Sequence, residues 1–118
     1  MTAEEMKDRT KAYALRVVRL VQSLPREQVA REIGNQLLRA GTSVGANYRA
    51  ACRSKSRADF INKLKIVEEE CDESLFWMEL LVEGQLVPAP RLADLRREGS
   101  EILAITVASL RTARSRES

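Results

Sequence analysis

The chain has no histidine, and Cys52 and Cys71 are its only cysteines among 118 residues. A structural zinc site draws about four ligands from those two residue types, so two cysteines do not complete one. The lack of histidine also removes the side chain most used for proton transfer near neutral pH, which counts against an enzyme. No cofactor is expected, and the cysteines are expected to be reduced and buried, packed as small hydrophobes. Aromatic residues make up 4% and prolines number 3, against 44% apolar and 31% charged residues. That balance favours a helical protein over a β-sandwich or barrel. No apolar run reaches the roughly 18 residues that cross a bilayer, because Glu79 interrupts the best candidate, SLFWMELLV. The opening MTAEEMKDRT is charged, unlike a secretory signal, so a cytoplasmic protein without a membrane partner is expected.

Charge of one sign is missing from whole stretches. Residues 41–66 carry Arg49, Arg53, Lys55, Arg57, Lys63 and Lys65 but only one acid, Asp59. Residues 67–87 carry seven acids and no base, although the net charge of the chain is only +3. The basic block, with the tail RTARSRES, is the part able to attract a polyanion. Within the acidic block, Glu68, Glu69, Glu70, Asp72 and Glu73 lack the Glu-x-x-His pairs of di-iron bundles and read as a solvated or ion-paired face.

What is abundant is helical periodicity. Met6, Tyr13, Val17, Leu20, Val21 and Leu24 share one face of a helix over about 3–24, which Pro25 ends. Ile33, Leu37, Ala40, Val44, Asn47 and Ala51 give a bundle seam over 26–53 with one polar member. After the turn Ser54-Lys55-Ser56, with Ser56 and Asp59 resembling a capping box, Phe60, Leu64, Val67, Cys71, Ser74, Met78 and Leu81 mark a third helix over 57–83. Val87-Pro88-Ala89-Pro90 forces an extended connection. A fourth helix over 91–113 follows, with Leu92, Leu95, Ile102, Leu103, Val107 and Leu110 on its apolar side and a short basic tail beyond. The expected fold is all-α, a single up-down antiparallel four-helix bundle over 1–118.

The stretch RAGTSVGANYRAACRSKSRADF, residues 39–60, lacks the G-x-x-x-x-G-K-[ST] order of a phosphate loop, and the seam runs through it too regularly for a linker. It reads as a helix with a small-residue face: Gly34, Gly41, Gly45, Ala46 and Ala50. Three glycines inside a helix cost on the order of 3 kcal/mol against alanine. Close approach of another backbone at Gly41 and Gly45 is the expected offset. An antiparallel hairpin turning near 55–56 would set Arg39 beside Glu73, Ser43 beside Glu69, and Asn47 near Lys65, Glu68 and Glu69. This predicts a polar network of Arg39, Ser43, Asn47, Glu69 and Glu73, with Arg39–Glu73 a partly buried ion pair.

Residues 36–81 resemble the bacterial four-helix bundle proteins related to the 23S rRNA intervening-sequence proteins. Gln36, Arg39-Ala40, Ser43-Val44 and Asn47 carry the likeness, with Arg57 before Asp59-Phe60 and LPRE at 24–27. One departure stands out: many members read Asn-Ile-Ala-Glu-Gly where this chain has Asn47-Tyr48-Arg49-Ala50-Ala51. The resemblance covers roughly residues 10–112. It implies an up-down bundle, often assembled as a ring-shaped homopentamer, with no enzymatic activity. Family members are encoded in insertions of ribosomal RNA genes, and relatives serve as accessory proteins of diversity-generating retroelements, binding the reverse transcriptase and nucleic acid.

Two functions are therefore expected to compete. One is an oligomeric module that holds RNA or DNA phosphates at Arg49, Arg53, Lys55, Arg57, Lys63 and Lys65, around the turn between the second and third helices. The other is a scaffold that docks an acidic partner protein such as a reverse transcriptase, with Phe76, Trp77 and Leu80 as a second apolar face between subunits. For Trp77 the alternative is packing within its own bundle.

Overall fold

The computed structural model describes residues 1–116, and each of its helices starts at a residue suited to the task. α1 is Ala3–Gln22, α2 Gln28–Cys52, α3 Arg57–Glu83 and α4 Ala89–Ser115. Thr2 and Glu5 form a reciprocal capping box on α1. The Glu27 carboxylate accepts from the Ala30 N–H at the start of α2, and the Ser56 hydroxyl accepts from the Asp59 N–H on α3 at 3.1 Å. α4 begins two residues before the expected Arg91, because Pro90 sits in a first turn, where no N–H is required of it. Between α3 and α4 the left-handed position falls on Gln85 (φ 61°), and the Leu86 N–H closes the turn on the Leu81 carbonyl at 2.9 Å.

The four helices contact their sequence neighbours and α1 closes on α4, the least intimate of the four contacts. The result is a rod of 49 × 21 × 21 Å. Its core takes Tyr13 and Val17 from α1, Leu37 and Val44 from α2, Val67, Cys71, Met78 and Leu81 from α3, and Leu92 and Ile102 from α4. A second apolar cluster, Ala51, Ile61, Leu64, Leu110 and Ala113, fills the end nearest the α2–α3 turn. There Ile61 is buried and the expected Phe60 only half-buried, since the last layer of a bundle is open at its end.

The glycines of α2 face α1. A Cβ on Gly41 would stand 2.8 Å from Val17 Cγ2, and one on Gly45 would stand 3.4 Å from the Thr10 carbonyl carbon and oxygen. α2 thus buries Gly34, Gly41 and Gly45 against α1 as well as Leu37, Ala40, Val44 and Ala51 in the core. Midway along the rod Tyr13 Oη and Ser74 Oγ share a hydrogen bond of 2.8 Å across the core, and Cys71 Sγ donates to the Gly99 carbonyl. Gly99 makes room for this layer, because a Cβ there would lie 2.7 Å from the Tyr13 hydroxyl. Burial, with a smaller push from Asp72, raises the Cys71 thiol to about 12, so it stays a neutral packing group.

Candidate functional site

The end of the rod around the α2–α3 turn holds a cleft of about 960 Å³. Its origin is a difference in helix reach. Arg9 of α1 bonds Glu98 and Glu101 of α4. In an antiparallel pair, six residues back from Arg9 lies level with six residues on from those glutamates. Ala3 therefore sits near residues 104–107, and the rest of α4, to Ser115, has no α1 opposite it. The gap is walled by Tyr48 and Cys52 of α2, Phe60 of α3 and Ile105 and Ala108 of α4. Lys55, Arg57 and Arg116 line it as well, and no carboxylate does among the described residues.

Of the six basic residues expected to act together, Lys55 and Arg57 thus share one cleft. Arg53 is exposed at the C-cap of α2, and Arg49, Lys63 and Lys65 lie off the cleft. Arg116 joins the site from the chain's other end, its carbonyl accepting from Arg57 Nη1 at 2.8 Å. The basic tail was visible in the sequence, but only the folded α4 brings it to α3. Among the described residues none of these cations is in an ion pair, whereas Lys7, Arg9 and Arg97 each are.

Tyr48 and Phe60 are both half-buried, so each keeps part of its surface on the cleft. Burial pushes the Tyr48 hydroxyl up to about 12, helped by its hydrogen bond with the Cys52 thiol and by the Glu4 charge. It is a neutral phenol at physiological pH. Cys52, expected to be buried, is half-exposed on this cleft. Among the described residues no group of three or more His, Cys, Asp or Glu side chains is placed to hold a metal ion.

The expected polar network between α2 and α3 does not form as drawn. Ser43 Oγ donates to the Arg39 carbonyl at 2.7 Å, and Asn47 Nδ2 donates to the Ser43 carbonyl at 2.9 Å. Both side chains satisfy themselves on their own helix, which requires no second helix to be held in place. Arg39 is exposed and makes no ion pair with Glu73, whose carboxylate accepts from Trp77 Nε1 at 3.4 Å. Glu69 is exposed. The Arg39 charge acts on Glu70, whose carboxyl is raised by burial and by Glu73 and Glu69 and pulled back by Arg39. Trp77 packs against its own core, as the alternative reading had it, while Phe76 is 49% exposed and meets the indole edge-on at 5.0 Å.

Comparison with known proteins agrees with this architecture. No curated protein matches the chain. A crystal structure of a protein of unknown function from the S23 ribosomal protein family of Bacteroides thetaiotaomicron superposes with a TM-score of 0.87 at 35% identity, covering 94% of this chain and 99% of that one. The model of the 23S rRNA-intervening sequence protein family matches residues 4–108. An all-α four-helix bundle over nearly the whole chain, with that match in sequence, places the protein in the 23S rRNA-intervening sequence protein family.

Proposed function

We propose that this chain is a non-enzymatic, cytoplasmic accessory module that binds RNA or DNA phosphates through the basic end of its bundle. One observation carries the reading: Lys55, Arg57 and Arg116 converge on a cleft with no carboxylate among its described lining residues. Unpaired Lys and Arg clusters bind phosphates by releasing counterions, without reading sequence. Assembly into a homo-oligomer, a pentamer if it follows the assembly implied by the family resemblance, would repeat the basic end several-fold. Filter binding to RNA and DNA at low and moderate salt tests this. Retention at low salt with a steep decline as salt rises is expected, and Lys55→Gln with Arg57→Gln should lower the log–log salt slope by roughly one per cation removed. Absence of retention at low salt ends the reading.

A second reading, a protein-docking scaffold, is favoured by the outer face of α3. Phe76 is exposed there, and the neighbouring Glu69, Glu70 and Glu73 have no ion-pair partner among the described residues. A large exposed aromatic beside unpaired charge suits a protein partner more than a phosphate backbone.

A further inference from the structure

We infer that the cleft at the α2–α3 end seats an unpaired nucleotide of a single strand, its base against Tyr48 and Phe60 and its phosphates on Lys55, Arg57 and Arg116. This rests on the nucleic-acid reading above and adds to it a preference for unpaired bases.

A site for phosphate alone needs only cations on an open surface. This one has an apolar interior as well: two half-buried aromatic rings, with Ile105 and Ala108 on the facing helix. Glu4 is an acid felt at Tyr48, and its carboxylate is held by Lys7 at 3.1 Å. Flat apolar walls under a cationic rim match the two halves of a nucleotide, a π-faced base and an anionic phosphate. The cleft volume of about 960 Å³ lies at the top of the range of small-ligand pockets, so one or two bases fit without rearrangement. A duplex presents its bases stacked and paired, so it offers only the phosphates to the same rim.

A strand is a better occupant than a free nucleotide because the positive surface continues past the cleft. Arg53 caps α2 beside it and is exposed. Further phosphates of a strand leaving the cleft meet that cation, which a mononucleotide does not reach. The stack is tolerant of base identity, since every base has a π-face, so the preference is for single-strandedness and not for sequence.

The experiment compares a short fluorescent single-stranded RNA with a duplex of the same length, on wild type, Tyr48→Leu and Phe60→Leu. Leucine keeps apolar volume at both positions and thermal melting checks that each variant is folded. The single strand should bind wild type more tightly, and each variant should weaken it by about tenfold while leaving the duplex unchanged. In parallel, methyl NMR should show Ala51, Ile105 and Ala108 shifting on addition of the single strand and much less with AMP. Equal binding of single strand and duplex by all three proteins would overturn the inference and leave phosphate binding standing. Shifts of those methyls by AMP or by an acidic helical peptide, but not by the strand, would overturn it as well. Failure of every nucleic acid to bind at low salt removes the broader reading along with this one.

Discussion

Gly41 and Val17 meet so closely that the smallest added side chain has nowhere to go. Val17 is fully buried and β-branched, so its methyls do not swing aside from a Cβ at 2.8 Å. Overpacking costs about 1–3 kcal/mol, against about 1 kcal/mol regained by replacing a helical glycine with alanine. Gly41→Ala is therefore expected to destabilise the fold by about 1 kcal/mol, the midpoint of that difference. Gly34 is the contrast. Its added Cβ would meet Leu24 Cδ1, the end of a flexible, half-buried side chain, so Gly34→Ala should be neutral or stabilising by up to about 1 kcal/mol. Urea unfolding of both variants decides it, and the opposite ranking would show that α1 does not press on α2 where described. Gly41 and Gly45 were legible in the sequence because three glycines in an apolar helical pattern demand an offset. Gly99 was not, since the groups that need its space, the Tyr13 hydroxyl and Leu75, come from two other helices.

Between elements, the α1–α4 contact depends on one polar tie more than on backbone approach. Arg9 Nε and Nη2 bond both oxygens of Glu98 at 2.7 Å, and Nη2 also reaches Glu101 at 3.1 Å. The hydrogen bonds from Arg9, ahead of its charge, hold the Glu98 carboxyl below the usual glutamate range. A carboxylate lowered on folding adds stability at pH above its unfolded value, about 4.3, and loses it as the pH falls through the lower folded value. Arg9→Met is expected to cost about 1 kcal/mol at neutral pH, the upper end for partly exposed pairs because this one is bidentate. The gap between variant and wild type should close as the pH drops below the glutamate range. Thermal midpoints across a pH series measure this, and a gap independent of pH would mean that lost packing, not charge, is responsible. Helix spans were legible from apolar spacing and from Pro25 and Pro88. The partners of Arg39, Ser43 and Asn47 were not, because a side chain that bonds to its own helix has the same spacing as one that reaches across.

For the whole molecule, the separation of charge along the chain becomes a separation in space. Lys55, Arg57 and Arg116 meet at one end of a rod 49 Å long, and the acidic face of α3 with Phe76 runs along its side. An exposed aromatic on that side favours burial against another copy or another protein. Light scattering at low salt is expected to return the mass of several subunits, and Phe76→Asp should shift it toward one subunit without lowering helix content. A monomer mass for the wild type would remove the oligomer. The sequence by itself determined the four helices and the small-residue face of α2, because these follow from the periodicity and backbone cost of residues close in the chain. Only the tertiary structure decided that the early end of α1 uncovers a cleft at the α2–α3 turn and that Arg116 joins Lys55 and Arg57 there. Those depend on helix register and relative reach, which are set by contacts between residues about 60 to 90 positions apart.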